Sequence, residues 1–347
     1  MRIAHLILTR RLAGSERHAV ELANAQAERH DVTLILRRAA AGSHAGAFAA
    51  LVSPRVKLVL VPDWLPAWHA ARVLRRLKPD VAHAHLSAAC RALRGLSKTC
   101  LRVATLHIHY KTRQHAHLDA LVAIAPWQLA DIPEPLRRHT VQIDNWTLAR
   151  TPSPDARERL RLAHGIPSDA WVFGALGRIE PSKGFDMLID AFADAGLPDD
   201  AWLVVVGQGA ALPALQRQAK ARATRVLLPG YTRTPQDWLA AFDCFVSAAR
   251  SEPFGLVFLE AMQAGLPVIA SRTQGALHLS PHMQPTLVDV DDLPALRAAL
   301  QAAARQRPER RSYPMDHYRI DGTLHALEAF YLRELALRGG APGAAGK

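Results

Sequence analysis

Residues 171–196 read WVFGALGRIEPSKGFDMLIDAFADAG. A six-residue apolar run (171–176) stops at Gly177, an eight-residue loop follows to Gly184, and apolar residues then recur at helical spacing over 184–195. A short apolar run bounded by glycine and followed by an amphipathic stretch is the signature of a buried parallel strand and its crossover helix. The same unit repeats outward in both directions. Toward the C-terminus, strands are expected near 202–206, 225–228, 243–247, 267–270 and 286–288, with helices near 210–222, 235–241, 255–264 and 292–304. Toward the N-terminus, strands are expected at 2–8, 32–37, 56–61, 80–85, 102–107 and 119–124, with helices at 16–29 and from Ala67 to Lys78. Residues 145–158, with two prolines among mixed polar residues, interrupt the alternation and read as a linker. A long helix is expected over 321–337. The fold class is therefore α/β, in two consecutive parallel-sheet units around a cleft. The units are drawn at 1–148 and 149–318, with a terminal helix at 319–338 and a flexible tail at 339–347.

A chain of 347 residues is long enough for two cores. Its 49% apolar and 21% charged residues are an ordinary globular balance. Cys90, Cys100 and Cys244 fit neither a disulfide framework nor a zinc pattern, so a reducing compartment is expected. The first strand is too short for a signal peptide, no run is long enough for a membrane span, and a cytoplasmic location follows. The net charge of +12 invites a nucleic-acid partner. Only seven of the 43 basic residues are lysines, however, and the arginines are scattered without a basic run flanked by aromatics. Nucleic acid is not expected as a partner. The Ala67–Lys78 helix sets Arg72, Arg75, Arg76 and Lys78 beside Val73, Leu74 and Leu77. That pattern suits an anionic membrane surface, and it equally suits an ordinary crossover helix with solvated arginines.

Three features carry chemistry. Gly14 sits where the first strand turns into a helix, where backbone can approach an anion closely or merely turn tightly. Arg178 and Lys183, five apart in the loop after the 171–176 strand, suit a diphosphate: the arginine as a planar fork, the lysine as a compact charge. Glu252 and Glu260 flank a helix start marked by Pro253. Eight residues of helix separate positions by about 80° and about 12 Å, too far for a pair of glycosidase carboxylates but suited to gripping two ends of an extended ligand. Read alone, the cations could be solvated, and the glutamates a cap and a surface charge.

In this order, the pieces resemble the family-4 retaining glycosyltransferases of GT-B architecture. The likeness runs through Gly14, Pro79-Asp80-Val81-Ala82-His83-Ala84-His85, Ala104-Thr105-Leu106-His107, Gly177-Arg178 to Lys183-Gly184 and Pro229-Gly230-Tyr231. It continues through the Glu252/Glu260 pair to Ala264-Gly265-Leu266-Pro267-Val268-Ile269-Ala270. The resemblance implies two Rossmann-like domains facing a cleft, the first on the acceptor side and the second binding the nucleotide sugar, with the terminal helix crossing back to the first. It implies that Arg178 and Lys183 bind the donor diphosphate, Glu260 the ribose, and Glu252 the transferred sugar. Backbone amides of Phe254, Gly255 and Leu256 would face phosphate, Gly230 and Tyr231 the base, and His107 the sugar. The implied reaction moves a hexose, with retention, from a UDP- or GDP-sugar (UDP preferred) to a cell-envelope glycan or lipid-linked saccharide. No cofactor or metal is expected, and a peripheral position on the inner membrane face is compatible. Departures occur at Ala13-Gly14, at Gln274-Gly275-Ala276-Leu277-His278 and at Asn145-Trp146.

Two other readings compete. The His-x-His pairs His83/His85, His107/His109 and His115/His117 could each chelate a metal if they lie on strands, which would suit a metal-dependent hydrolase. A nucleotide-sugar epimerase would share the architecture. Asp289-Val290-Asp291 reads as a strand exit before a helix cap at Asp292.

Overall fold

The computed structural model describes residues 1–10, 12–42, 47–97, 99–222 and 225–339. The chain divides into two compact units, one formed by Met1–Trp146 together with the chain from Tyr318 onward, the other by Thr147–His317. The tail expected after Gly339 lies outside the described residues.

The first unit contains a seven-stranded sheet: β1 (Arg2–Ile7), β2 (Asp31–Arg37), β3 (Lys57–Val61), β4 (Val81–His85), β5 (Leu101–Leu106), β6 (Ala120–Ala123) and β7 (Thr140–Gln142). Their order is β3-β2-β1-β4-β5-β6-β7, and every pairing is parallel. Parallel strands joined by crossover helices are covered on both faces, so their side chains are apolar on both. The sequence of β2, with Val32, Leu34, Ile35 and Leu36 all buried, follows that rule. His5, His83 and His85 break it, since all three are fully buried polar residues on β1 and β4. The terminal helix (Ile320–Gly339) belongs to this unit. There Tyr331 meets His83 at 2.5 Å, Glu334 meets His139 at 2.7 Å, and Arg338 meets Asp119 at 2.5 Å.

The second unit holds β8 (Trp171–Leu176), β9 (Ala201–Val206), β10 (Val226–Gly230), β11 (Cys244–Ser247), β12 (Val268–Ser271) and β13 (Thr286–Val288). The order is β10-β9-β8-β11-β12-β13, again all parallel. One glycine in β8 has a packing reason: a Cβ on Gly174 would lie 1.9 Å from the Phe242 ring. In both sheets the chain reverses direction of build between two neighbours, β1/β4 and β8/β11. At such switch points the loops leaving the strand ends diverge and open a crevice.

Most expected elements stand within one or two residues of their sequence positions. The 16–29 helix begins earlier and ends earlier, at Gly14–Gln26. The linker at 145–158 is partly ordered: Trp146 is buried and its indole donates to Glu21 at 2.9 Å, and a helix (Ala156–Ala163) starts inside the stretch. Helices Leu86–Ala92 and Gln274–Met283 and strand β7 were not anticipated.

Candidate functional site

In the second unit, the loops after β8 and β11 flank the switch point, and they carry Arg178, Lys183 and Glu252. Lys183 Nζ donates to Glu252 Oε2 at 2.5 Å. The backbone reinforces this contact, since the Ser182 carbonyl accepts from the amides of Arg250 (2.9 Å) and Ser251 (3.3 Å). Gly184 lets the first loop close. It has φ +63°, and a Cβ there would lie 1.9 Å from the Ala248 carbonyl oxygen. Arg178 is more exposed and holds Glu180 at 3.0 Å. The stem of Lys183 runs past Gly177, within 4.0 Å of where a Cβ would stand.

The helix Leu256–Gln263 begins immediately beyond Gly255, whose φ of +86° makes the turn. Its first amides have no intrahelical acceptor and carry the positive end of the helix dipole. The Phe254 side chain is buried, so only its backbone is available to a ligand. Glu260 lies on the second turn, half-buried. Gly230 ends β10 at φ +90°, its carbonyl accepting from the Gly207 amide at 2.9 Å, and Tyr231 beyond it is 42% exposed.

Sequence reasoning missed four residues that shape these loops. Arg250 makes a two-pronged contact with Asp186 (2.9 and 2.9 Å) and also reaches Asp291 (2.7 Å) and the Pro181 carbonyl (2.7 Å). The hydrogen bonds it donates to Asp186 push its pKa further up, so the guanidinium stays charged. Gly207 and Gly209 let the loop after β9 lie against the backbone of residues 177–179, where a Cβ on either would lie about 2 Å from a carbonyl oxygen. Their Gly-x-Gly spacing after a strand was the available signal. Gly275, at the departure from the family pattern, donates its amide to the Glu252 carbonyl at 2.8 Å and has no room for a Cβ against Phe254. The Asp-x-Asp stretch is engaged elsewhere: Asp289 pairs with Arg272, Asp291 with Arg250, and Asp292 caps the helix that starts at Leu293.

In the first unit, Gly14 opens the Gly14–Gln26 helix after an uncapped Ala13. His107 follows the end of β5, and its Nε2 lies 3.1 Å from His85 Nδ1. It sits edge-on to His18 with ring centres 4.9 Å apart, and burial lowers its pKa to about 4. The His-x-His pairs differ from one another. His83 and His85 share a face of β4, with rings stacked 4.7 Å apart. The 107/109 pair lies past the strand end, and His109 turns to Asp131 at 2.8 Å. His115 accepts from the Lys111 amide, and His117 donates to the Cys90 carbonyl. Among the described residues two groups, His5/His83/His85 and His18/His85/His107, have ring nitrogens within 4.8 Å of one another. Ring-to-ring hydrogen bonds link members of both groups.

Two family models match the chain: Glycosyltransferase Family 4 over residues 12–173 and Glycosyl transferases group 1 over residues 156–314. The lipopolysaccharide core biosynthesis glycosyltransferase LpsD of Rhizobium meliloti (strain 1021) is 32% identical over 247 residues, which cover 69% of this chain and 68% of LpsD. LpsE of the same strain, another lipopolysaccharide core biosynthesis glycosyltransferase, is 31% identical over 76% of each chain. Among solved structures, Anabaena Alr3699/HepE in complex with UDP and glucose superposes with a TM-score of 0.73 at 21% identity, covering 96% of this chain and 99% of that one. That likeness concerns the fold.

Proposed function

The chain belongs to the family-4 glycosyltransferases of GT-B fold, and on that premise we propose that it moves a hexose or hexose derivative from a nucleotide-diphosphate sugar to a cell-envelope glycan or lipid-linked saccharide, with retention at the anomeric carbon. The observation that carries the donor reading is the meeting of Lys183 with Glu252 where the loops after β8 and β11 adjoin.

As the bond from the anomeric carbon to the diphosphate oxygen lengthens, negative charge grows on the diphosphate. Arg178, Lys183 and the amide end of the Leu256–Gln263 helix are the groups that would meet it, and preorganised charge of this kind is a large source of rate. Donor phosphate would draw Lys183 away from Glu252 and free that carboxylate for the sugar hydroxyls. Glu260 takes the ribose, Gly230 and Tyr231 the base, and His107 and Gly14 keep the donor roles that the family resemblance implies. The acceptor hydroxyl attacks the anomeric carbon on the face the diphosphate leaves. Its oxygen forms the new bond while its proton passes to the departing phosphate oxygen, with no covalent enzyme intermediate and no metal. The acceptor class draws support from the LpsD and LpsE relatives. A thermal-shift screen against UDP, GDP and their sugars tests the reading. Ligand at 100 times its dissociation constant should add about 2.7 kcal/mol, and the absence of a shift with every nucleotide sugar would overturn it.

One face of the first unit supports membrane contact during that transfer. On the helix Pro66–Leu77, Trp68, Arg72, Arg75 and Arg76 are exposed, and Trp64 and Leu65 stand exposed just before it. Arg72 lies over the Trp68 ring at 4.8 Å. Exposed indoles beside arginines suit the interface of an anionic bilayer. No helix of the described residues is long and apolar enough to cross one.

A further inference from the structure

We propose that Gln26, buried at the end of the Gly14–Gln26 helix, fixes the proton tautomer of His107 through His5 and His85, so that His107 offers an unprotonated Nδ1 to its ligand. That Nδ1 meets the donor sugar rests on the functional reading above; the relay itself does not.

Four groups form a continuous chain. Gln26 Oε1 lies 2.6 Å from His5 Nε2, His5 Nδ1 lies 3.3 Å from His85 Nε2, and His85 Nδ1 lies 3.1 Å from His107 Nε2. Burial holds all three imidazoles neutral: His5 and His107 are lowered to about 4, and His85 well below its ordinary value. A neutral imidazole carries one N–H and one lone pair, and each junction between two nitrogens holds one proton. The direction of the first hydrogen bond therefore dictates all the others.

The carboxamide sets that direction, because its donor and acceptor ends cannot exchange by moving a proton. With its oxygen toward His5, His5 donates from Nε2, His85 donates from Nε2 to His5, and His107 donates from Nε2 to His85. The lone pair of His107 is left on Nδ1, on a ring that is partly exposed beyond the end of β5. Beside this chain, His83 is held by neighbours of its own: its Nδ1 lies 2.5 Å from the Tyr331 hydroxyl and its Nε2 2.7 Å from Thr105 Oγ1. Rotating the amide by half a turn would reverse every junction and put a proton on His107 Nδ1, converting an acceptor into a donor.

The test is nitrogen-15 spectroscopy of the full chain labelled at histidine, which separates protonated from bare ring nitrogens, with the His107 signals identified by their loss in His107→Gln. The wild type should show His107 in one tautomer, protonated at Nε2 and bare at Nδ1. Gln26→Leu should leave a mixture of tautomers, and Gln26→Glu, which keeps an acceptor toward His5, should restore the single form. A mixture near one to one leaves half the molecules competent, so donor affinity in Gln26→Leu should weaken about twofold. A proton on Nδ1 in the wild type, or an unchanged single tautomer in a folded Gln26→Leu protein, would overturn the proposal. The wild-type spectrum decides even if the leucine variant does not fold. If the spectra follow expectation while His107→Gln transfers sugar at the wild-type rate, the relay stands and the assignment of His107 to the sugar falls.

Discussion

Lys183 and Glu252, which come from two different strand-end loops, form an ion pair of 2.5 Å beside the β8/β11 switch point. Each group is mostly buried, so the pair holds the two loops in register while presenting opposite charges to one ligand. Lys183→Ala should lower turnover by at least about 100-fold, the scale of losing one stabilising group from a developing oxyanion, and should weaken nucleoside diphosphate binding. Glu252→Gln should lower turnover while leaving diphosphate binding nearly intact. Steady-state kinetics and calorimetry with UDP and GDP measure both, and near-wild-type turnover in Lys183→Ala would sink the assignment.

Arg250 should behave as a positioning residue. Its bonds to Asp186, Asp291 and the Pro181 carbonyl tie the two loops together from behind. Partial exposure discounts these contacts, so Arg250→Ala should cost about 1–2 kcal/mol of stability and raise the donor KM. Arg250→Lys should rescue little, because a point charge cannot span both Asp186 oxygens. Full rescue by lysine would show that charge alone matters there.

Gly184→Ala tests the backbone of the same loop. A Cβ would meet the Ala248 carbonyl oxygen at 1.9 Å in a left-handed conformation. Stability should fall by at least about 2 kcal/mol, and donor binding should fall with it. Equal melting temperatures for variant and wild type would contradict this geometry.

The buried histidines make stability pH-dependent. His5 is fully buried and its pKa is lowered from 6.5 to about 4, chiefly by desolvation. The unfolded chain therefore binds its proton at a higher pH than the folded one. The neutral form's contribution is complete above about pH 6.5 and is lost as pH falls toward 4, by about 3 kcal/mol for this residue. The protection factors of β1, β4 and β5 amides against hydrogen exchange should fall over that window. Protection unchanged from pH 7 to pH 5 would contradict the neutral assignment.

Membrane contact predicts binding to vesicles containing anionic lipid at low salt, weakening as salt rises. Trp68→Glu should reduce it while leaving transfer to a soluble acceptor unchanged. Equal binding to neutral vesicles, or none to anionic ones, removes the surface role.

The repeated strand, glycine loop and helix at 171–196 determined the α/β class and the parallel sheets, because hydrophobic period and glycine punctuation are local properties. The same local logic put Gly177–Gly184 and Glu252–Leu256 at strand ends. Strand β7 escaped notice because three half-buried residues at a sheet edge carry no periodicity. The helix Ala156–Ala163 escaped because Pro152 and Pro154 precede it and because Arg161 reads as a surface residue. Its guanidinium is in fact buried, bonded to the Ala241, Ser168 and Ala170 carbonyls and to Asp243. Only the tertiary structure could pair Arg250 with Asp186, seat Gly275 under Glu252, or join Gln26 to His107 through two other histidines. Those links depend on which strands lie side by side and which ring nitrogen faces which. Packing decides both, and neither leaves a local mark on the chain.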